Sequence, residues 1–209
     1  MSSAVSFRPA TSTFEDGRAF AHYLDLAADG IFRAILGRRS KQILAKAFLE
    51  PGHDLSYEHV IFAVIDDSIV GMLSAYSGRQ HHDSSARPLL GAAGLAAIRL
   101  MTFRVLFASM VRVLDSIEPD AFYIQAIAVD AAARGRGVGS ILMKKAEGLA
   151  QKHAANRLCL DVAAENAGAR RLYERCGMTV QSRWPKRLRL GSLKLLRMGK
   201  TLNGRANAD

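Results

Sequence analysis

The most informative stretch of this chain reads FYIQAIAVD from Phe122 to Asp130, then AAA, then RGRGVGS from Arg134 to Ser140. The apolar run predicts a buried β-strand, and the glycine-rich run after it predicts a tight turn. Between Ser140 and His153, apolar residues recur at the spacing of a one-faced helix. The glycines therefore stand where a strand ends and a helix begins.

This glycine-rich turn has the chemistry of an anion site. The first turn of a helix presents backbone N–H groups that lack an internal partner, and the helix dipole adds partial positive charge there. Glycine at 135, 137 and 139 leaves those N–H groups accessible, and Arg134 and Arg136 add cationic donors for phosphate oxygens. The turn predicts a pyrophosphate cradle. The alternative is a turn whose glycines serve packing alone.

One class of protein with such a turn is the dinucleotide-binding fold, which has G-x-G-x-x-G after a strand and an acid about 20 residues later. Asp161 fits the position of the acid, but Ser140 stands where the third glycine belongs. The chain after Asp161 is also too short for a complete doubly wound sheet. A nicotinamide dinucleotide enzyme is therefore the weaker alternative.

A second motif, NAGARRLYERCGM, runs from Asn166 to Met178. Asn166 is a good N-cap and Gly177 a good C-terminal stop, so the motif predicts a short helix between them. Asn166 and Tyr173 are two helical turns apart and lie on the same side. That side offers an amide for a peptide-like chain and a phenol that can donate a proton.

Together, the two motifs resemble those of the GNAT superfamily of acetyltransferases. Arg134, Gly137 and Gly139 reproduce its R-x-x-G-x-G signature, and the second motif is similar to the family's later asparagine, leucine-tyrosine-glutamate and glycine pattern. The close resemblance covers roughly Phe122 to Arg183. It implies an α/β fold with a mixed, mostly antiparallel central sheet of six to seven strands flanked by helices.

The resemblance also implies a site for acetyl-CoA as cosubstrate and for no metal. In the family, the strands that here contain Ile127 and Leu160 splay apart and the pantetheine arm enters the gap, while the glycine turn binds the pyrophosphate. Tyr173 is assigned as the catalytic proton donor to the departing thiolate. The residues assigned to cofactor binding are Ile127, Ala128, Val129, Arg134, Gly135, Arg136, Gly137, Val138, Gly139, Ser140, Asn166, Ala169 and Tyr173.

Gln125 is a departure from the family's pattern. Many members place a glutamate or aspartate near this position, whereas a glutamine cannot accept the proton that a primary amine must lose. The base stays open among His82, Asp83, Glu118 and a water chain. The paired histidines before Asp83 lie in a predicted polar loop from Ser77 to Ser85, for which a metal site is a further alternative.

The rest of the sequence predicts one domain over residues 1–202 and a C-terminal tail over 203–209. Other predicted elements are a strand from Val5 to Arg8, a helix capped by Thr13, a helix from Ile31 to Phe48, a hairpin from His59 to Tyr76 turning at Asp66 and Asp67, and late strands including Leu188, Leu190 and Leu193.

An apolar segment at 88–115 is inserted before the central strand and predicts one extra amphipathic helix. Arg99, Arg104 and Arg112 interrupt it, so we expect no membrane span. We expect the helix to pack over the acceptor side of the sheet or against a second subunit, that is, in a homodimer. A helix lying on a membrane surface is the other alternative.

The chain is strongly basic, with 29 lysines and arginines against 19 acidic residues and a net charge of +10. The basic run from Arg183 to Lys200 resembles nucleic-acid binders, but it also fits strands with basic exposed positions, and no groove-reading motif accompanies it. We therefore expect no nucleic-acid partner and assign the charge to steering of anionic ligands. Cys159 and Cys176 form no disulfide or metal pattern, and the chain start lacks a signal peptide, so a cytoplasmic location is expected.

These observations predict an N-acetyltransferase that transfers the acetyl group of acetyl-CoA to a primary amine of a small molecule or a protein. The amine would attack the thioester directly in a ternary complex. The alternative is a GNAT-like module that binds acyl-CoA as a sensor without catalysis, because Gln125 stands where an acid is common.

Overall fold

The computed structural model describes residues 4–185 and 194–202. These residues form seven strands: β1 (Ser6–Pro9), β2 (Val60–Ile65), β3 (Ser68–Ser77), β4 (Ala121–Val129), β5 (Arg157–Ala163), β6 (Thr179–Trp184) and β7 (Leu195–Thr201). They also form nine α-helices: α1 (Phe14–Ala27), α2 (Ile31–Leu36), α3 (Ser40–Phe48), α4 (Gly78–His82), α5 (Arg87–Ala93), α6 (Ala96–Leu106), α7 (Ala108–Leu114), α8 (Val138–Lys152) and α9 (Ala167–Arg175).

The seven strands form one sheet in the order β1-β2-β3-β4-β5-β7-β6. Strands β4 and β5 pair in parallel, and every other neighbouring pair among these strands is antiparallel. The predicted mixed, mostly antiparallel α/β fold is therefore confirmed.

Helices cover both faces of the sheet. Side chains of a strand alternate between its two sides, so each face contributes to its own core. On one face α8 and α9 pack over a core that includes Phe122, Leu142 and Leu160. On the opposite face, called the far face below, α1 and α3 pack over a core that includes Phe20 and Phe48. The two cores fix β4 between α1 and α8.

Two predicted helices are broken in the structure. The expected helix from Ile31 to Phe48 is divided at Gly37, where φ is +79°. The expected single helix of the insertion is three short helices, α5 to α7, with breaks at Gly94, where φ is +53°, and at Phe107. A positive φ ends a right-handed helix, and glycine adopts it without a steric penalty.

The polar loop expected after β3 is partly helical. Ser77 accepts a hydrogen bond from the Gln80 N–H, and the Gln80 amide oxygen accepts one from the Ser77 N–H, so a capping box begins α4. The hairpin turn at Asp66 and Asp67 is as predicted, with φ of +47° and +60°.

The C-terminal strand differs from its prediction in where its cations point. Arg197 and Lys200 face partners rather than solvent, each with an ion pair of 2.6 Å, to Asp161 and Glu147 respectively. The predicted strand residues Leu188, Leu190 and Leu193 and the predicted tail 203–209 lie outside the described residues. None of the helices in the described ranges has the length and apolarity needed to cross a bilayer.

Candidate functional site

The central feature of the site is a gap between β4 and β5. The two strands pair from Ala121 with Arg157 to Ile124 with Leu160, and the pairing then stops. Beyond this point β4 continues against β3, and β5 continues against β7. The strands splay apart as the sequence resemblance implied, and an edge of β4 faces the gap.

Backbone groups of β4 face that gap at alternate residues. The Asp130 N–H donates to the Val70 carbonyl of β3 at 3.0 Å. Neighbouring residues of a strand direct their backbone groups to opposite edges, so Val129 and Ile127 direct theirs away from β3 and into the gap. Ala128 directs its backbone groups toward β3. Of the three β4 residues assigned to the cofactor, only Ile127 and Val129 therefore have backbone groups that face the gap.

The glycine turn lies at the end of the gap and is open. Gly135 and Gly137 have φ of +75° and +82°, and an added Cβ at either position would meet nothing within 4 Å. Helix α8 begins at Val138, without a side-chain cap. The N–H groups from Gly135 to Ser140 donate to no acceptor in the described part of the chain. A run of free donors at a helix N-terminus, with space in front of it, has the geometry that can bind an anion.

Gly139 has a different role from the other two glycines. It lies in the first turn of α8, with Ser140, and an added Cβ would come within 3.0 Å of the Leu172 side chain. Its small size therefore lets α8 approach α9. Val138 beside it is 1% exposed and belongs to the core under the turn.

Two contacts hold the start of the turn in place, one to β4 and one to α1. The Arg134 Nε donates to the Val129 carbonyl at 3.1 Å. The preceding Asp130 accepts a hydrogen bond of 2.8 Å from the Tyr23 hydroxyl of α1. Arg136 is exposed, and its guanidinium bonds no residue that the structure describes. The turn is thus anchored at its start and free at its cationic tip.

Helix α9 carries the other predicted residues. The Asn166 side chain caps it by accepting a hydrogen bond of 3.0 Å from the Ala169 N–H, so its amide oxygen is already used. Tyr173 is 7% exposed and lies in the core beneath α8. Its hydroxyl has no hydrogen-bond partner among the residues described, and burial raises its pKa to about 12. The phenol is therefore protonated throughout the physiological range.

Gln125 forms a bulge in β4. Ser74 of β3 pairs with Ala126, and the next residue, Ala75, pairs with Ile124, so no residue of β3 opposes Gln125. Its amide oxygen accepts a hydrogen bond of 2.9 Å from the Ser74 hydroxyl. The bulge lies one residue beyond the last pair between β4 and β5, where the gap begins.

An aromatic cluster of His59, Tyr76, His81 and Tyr123 lies on the far face, near Gln125. The Tyr76 ring contacts the other three, with centroid distances of 5.6 Å to His59, 5.8 Å to His81 and 5.7 Å to Tyr123. Burial raises the pKa of Tyr76 and of Tyr123 well above the usual value, although a contact with the Gln125 amide lowers that of Tyr76 slightly. Both phenols stay neutral.

The two histidines of the cluster differ in charge. His81 lies between two acceptors, with Nδ1 2.8 Å from Asp54 Oδ2 and Nε2 3.2 Å from the Asp115 carbonyl oxygen. Both nitrogens must donate, and the hydrogen bond to Asp54 raises the pKa of His81. Burial lowers the pKa of His59. His81 favours the imidazolium, and His59 the neutral imidazole that can accept a proton.

A buried network borders the cluster on β5 and β7. The Tyr123 hydroxyl donates to Asp161 at 3.0 Å, and Arg197 binds both oxygens of Asp161 at 3.0 and 2.6 Å. Arg197 also donates to the carbonyls of Val113, at 2.7 Å, and Ser116. A cation at this position complements the C-terminal end of α7. Arg197 thus connects the inserted helices to the sheet beside the gap.

The bases left open by the sequence lie outside this cluster. His82 and Asp83 are exposed at the end of α4, and Glu118 forms an ion pair of 2.8 Å with Arg157. The histidines that the structure does bring into the cluster, His59 and His81, come from segments with no shared motif, so no spacing in the sequence could identify them. Across residues 4–185 and 194–202, no group of three histidine, cysteine or acidic side chains is placed to bind a metal.

Comparison with known proteins identifies the family. The sequence matches the family model described as acetyltransferase (GNAT) family over residues 32–178, whereas no curated protein gives a significant match. A solved structure of an N-acetyltransferase from Staphylococcus aureus Mu50 is 17% identical, with a TM-score of 0.67, over 93% of this chain and 100% of that one. A structure described as an acetyltransferase is 22% identical, with a TM-score of 0.63, over 94% and 98%.

A third structure, the ribosomal-protein-S18-alanine N-acetyltransferase from Escherichia coli, is 14% identical, with a TM-score of 0.55, over 99% of this chain and 98% of that one. At these identities the three structures show a shared fold alone. The match to the family model covers more than half of the sequence, and therefore the chain belongs to the GNAT family of acetyltransferases.

Proposed function

We propose that this protein is an N-acetyltransferase that uses acetyl-CoA to acetylate a primary amine. The observation that carries the proposal is the gap between β4 and β5, which runs from the bulge at Gln125 to the free N–H groups of Gly135 to Ser140. One end of this gap fits a pyrophosphate, and the other end opens beside the far-face cluster. An extended molecule with a phosphate head suits that shape.

The residues present fit acetyl-CoA. The N–H groups from Gly135 to Ser140 would bind the pyrophosphate, with Arg134 and Arg136 adding charge. Ile127 would offer its backbone groups, and Val129 its N–H, to the amide-containing pantetheine arm, as a neighbouring strand does. The Val129 carbonyl already accepts a hydrogen bond from Arg134. Asn166 and Ala169 lie at the N-terminus of α9, and we assign them to the same cofactor surface.

We propose direct attack by the amine, without an acyl-enzyme. Neither cysteine is an activated nucleophile: burial raises the pKa of Cys159 to about 11 and raises that of Cys176 as well. In the step itself, the amine nitrogen forms a bond to the acetyl carbon, the carbon–sulfur bond breaks, and CoA leaves as a thiolate. The amine loses one proton to a base.

His59 is our candidate for that base. An ordinary primary amine has a pKa of about 10.4 and is mostly protonated at neutral pH. The amine that attacks is the neutral fraction, whose first proton has gone to solvent. Once its nitrogen is bonded to the acetyl carbon it is far more acidic, and the neutral imidazole of His59 can then accept the second proton directly or through water, whereas His81 holds protons on both nitrogens. In this proposal His59 replaces the carboxylate that is absent at Gln125.

Tyr173 stabilises the departing sulfur in this proposal. A thiol has a pKa of about 8.5, so complete proton transfer from a phenol with a pKa of about 12 is unfavourable. The phenol therefore donates a hydrogen bond to sulfur as negative charge develops there, and the thiolate then equilibrates with solvent. This stabilisation is selective for the transition state, because the thioester sulfur carries little charge beforehand.

We place the reaction in the cytoplasm. Both cysteines in the described residues are free, which agrees with a reducing compartment. The acceptor is an amine of a small molecule or of a protein.

The test measures thiol release from acetyl-CoA with polyamines, amino acids, aminoglycosides and peptides that carry a free N-terminus or a lysine. A rise in melting temperature with acetyl-CoA, together with release that depends on one class of amine, is the expected result. Initial rates that give intersecting lines would support the ternary complex. Stabilisation by acetyl-CoA with no release for any amine would favour the sensor, and stabilisation by NAD instead would reject both.

A further inference from the structure

Helix α6 presents an apolar face to solvent. None of its residues is buried. Leu95 at the N-cap, Ile98, Met101 and Val105 follow one another at intervals of three and four residues, and Leu106 lies about three helical turns after Leu95, which places all five on one side. Their exposed fractions are 88% for Leu95, 68% for Ile98, 40% for Met101, 76% for Val105 and 73% for Leu106. A contiguous exposed stripe of this kind marks an interaction surface.

The segments around this stripe carry no acidic residue. The sequence has no aspartate or glutamate from Gly30 to Leu49 and none from Ser84 to Leu114. The two segments are in contact, since Arg99 of α6 donates to the Ala34 carbonyl of α2 at 3.1 Å. Exposed cations on them are Arg33, Arg38, Arg39, Lys41, Lys46, Arg87, Arg99, Arg104 and Arg112. Of these, Arg104 pairs at 3.6 Å with Asp115, the first acidic residue after the second segment. We call the stripe and these cations the apolar–basic face.

We propose that the apolar–basic face docks on the anionic surface of a phospholipid bilayer. Arginine guanidinium groups bind phosphate oxygens, and lysines and arginines near an anionic leaflet are attracted to it. The aliphatic side chains of the stripe would enter the boundary between headgroups and acyl chains, with α6 lying in the plane of the surface. This inference goes beyond the proposed acetyl transfer and does not depend on it.

A protein partner fits the face less well than lipid does. Residues that dominate protein interfaces are enriched in tryptophan, tyrosine and arginine, whereas leucine and valine are under-represented among them. The stripe itself is apolar and contains none of these three types. The arginines of the face lie around it, where their guanidinium groups suit phosphate oxygens. A symmetric pair of copies would also place the same cations opposite one another, on chains that each carry a net charge of +10.

The test measures co-sedimentation of the full chain with two kinds of vesicle. One kind is phosphatidylcholine alone, and the other contains roughly one-third phosphatidylglycerol, which supplies the negative surface charge. We expect binding to the anionic vesicles only, weakened by salt because surface charges are screened.

The deciding variant is Ile98→Ser with Val105→Ser, which leaves every charge in place. Both side chains are exposed, so the fold is retained. We expect the partition to anionic vesicles to fall at least roughly tenfold. The matched control is Phe14→Ser, at a side chain that is 65% exposed but belongs to α1, and it should bind as the parent does.

Three outcomes would overturn the proposal. The first is no binding to anionic vesicles, and the second is binding that the double substitution leaves unchanged. The third is a dimer in sedimentation, or a complex with polyglutamate, that the double substitution abolishes while vesicles remain unbound. That result would assign the face to a second copy or to an acidic protein.

Discussion

The two sides of the gap between β4 and β5 are built in different ways. On the cofactor side, the glycine turn and the start of α8 come from one continuous run, and their N–H groups have no partner among the described residues. On the far face, His59, Tyr76, His81 and Tyr123 come from separate segments and contact one another. The first side consists of backbone N–H groups without partners, and the second consists of side chains that pack against one another.

Because of this difference, substitutions on the two sides should affect two different quantities: the affinity for the cofactor and the stability of the fold. Free N–H groups contribute nothing to folding until an anion binds them, because water satisfies them in both the folded and unfolded states. Buried side chains that are paired in the folded state cost free energy when one partner is removed. Substitutions on the cofactor side should therefore change affinity for acetyl-CoA, and those in the buried network should change the free energy of unfolding.

The largest effect is expected for Arg197→Met. It leaves the Asp161 carboxylate buried without its cation, which should lower the free energy of unfolding by about 3 to 5 kcal/mol in a urea titration. The control is Arg157→Met, which breaks the exposed ion pair with Glu118 and should cost about 1 kcal/mol or less. Equal losses for the two variants would show that the network does not stabilise the fold.

The next largest effect is expected for Gly137→Val on the cofactor side. Valine at a φ of +82° is strained, so the turn would leave the geometry that aligns its N–H groups. The affinity for acetyl-CoA should fall roughly 100-fold, or about 2.7 kcal/mol, by calorimetry.

The matched control for this variant is Gly30→Val. Gly30 also has a positive φ, of +75°, and open space beside it. The strain should cost both variants about 1 to 3 kcal/mol of stability, while Gly30→Val keeps the parent affinity. If both variants bound acetyl-CoA like the parent, the cradle would be misplaced.

His59→Gln tests whether the far face also contributes to catalysis. We expect a loss of roughly 100-fold in kcat/KM for the acceptor, with little change in acetyl-CoA affinity. A base acts when deprotonated, and burial lowers the pKa of His59 below 6.5. The parent rate should therefore rise with pH through a pKa below 6.5, and the variant should lose that limb. His82→Gln, on the exposed neighbour of the cluster, is the control, and an unchanged pH profile in His59→Gln would remove His59 as the base.

Tyr173→Phe should have a smaller effect, because its role is a single hydrogen bond to sulfur. We expect kcat to fall roughly tenfold at an unchanged affinity for acetyl-CoA. The control is Tyr57→Phe, which changes a half-buried phenol on the far face and should leave kcat unchanged. A parent-like kcat in Tyr173→Phe would show that another group stabilises the departing thiolate.

The smallest effect is expected for His81→Gln and is largest at low pH. The hydrogen bond to Asp54 raises the pKa of His81 in the folded state. Its contribution is therefore complete below the unfolded pKa near 6.5 and is lost as the pH rises through the folded value. Removal should cost about 1 kcal/mol at acidic pH and less at pH 9 in parallel urea titrations. A loss that grows with pH would reverse the assigned charge.

Much of the cofactor side was predictable from the sequence. The strand to Val129, the turn, and the helix from Asn166 to Gly177 are local patterns in which propensity, glycine and capping agree. What the structure added here concerns the backbone conformation and packing of single glycines inside the predicted elements. Gly139 has a packing role in addition to its predicted place in the turn, and Gly37 and Gly94 divide helices whose apolar periodicity continues across them.

The far face could not be predicted in the same way. His59 and His81 carry no motif, and the sequence pointed to the neighbouring His82, which is exposed. The difference between adjacent histidines depends on which one α4 directs toward Tyr76. Arg197 was expected at an exposed position, yet Asp161 on the adjacent strand holds it in the interior.

The sequence by itself thus determined the family and the glycine turn between strand and helix, because each motif lies within one short stretch of the chain. The mixed sheet followed only from the resemblance to the family, since its strand pairs join residues far apart in the sequence. Tertiary structure alone decided which backbone groups of β4 face the gap, which histidine is neutral, and where the inserted helices expose their apolar side. Those properties depend on burial and on partners from distant segments, and only the packed chain brings these together.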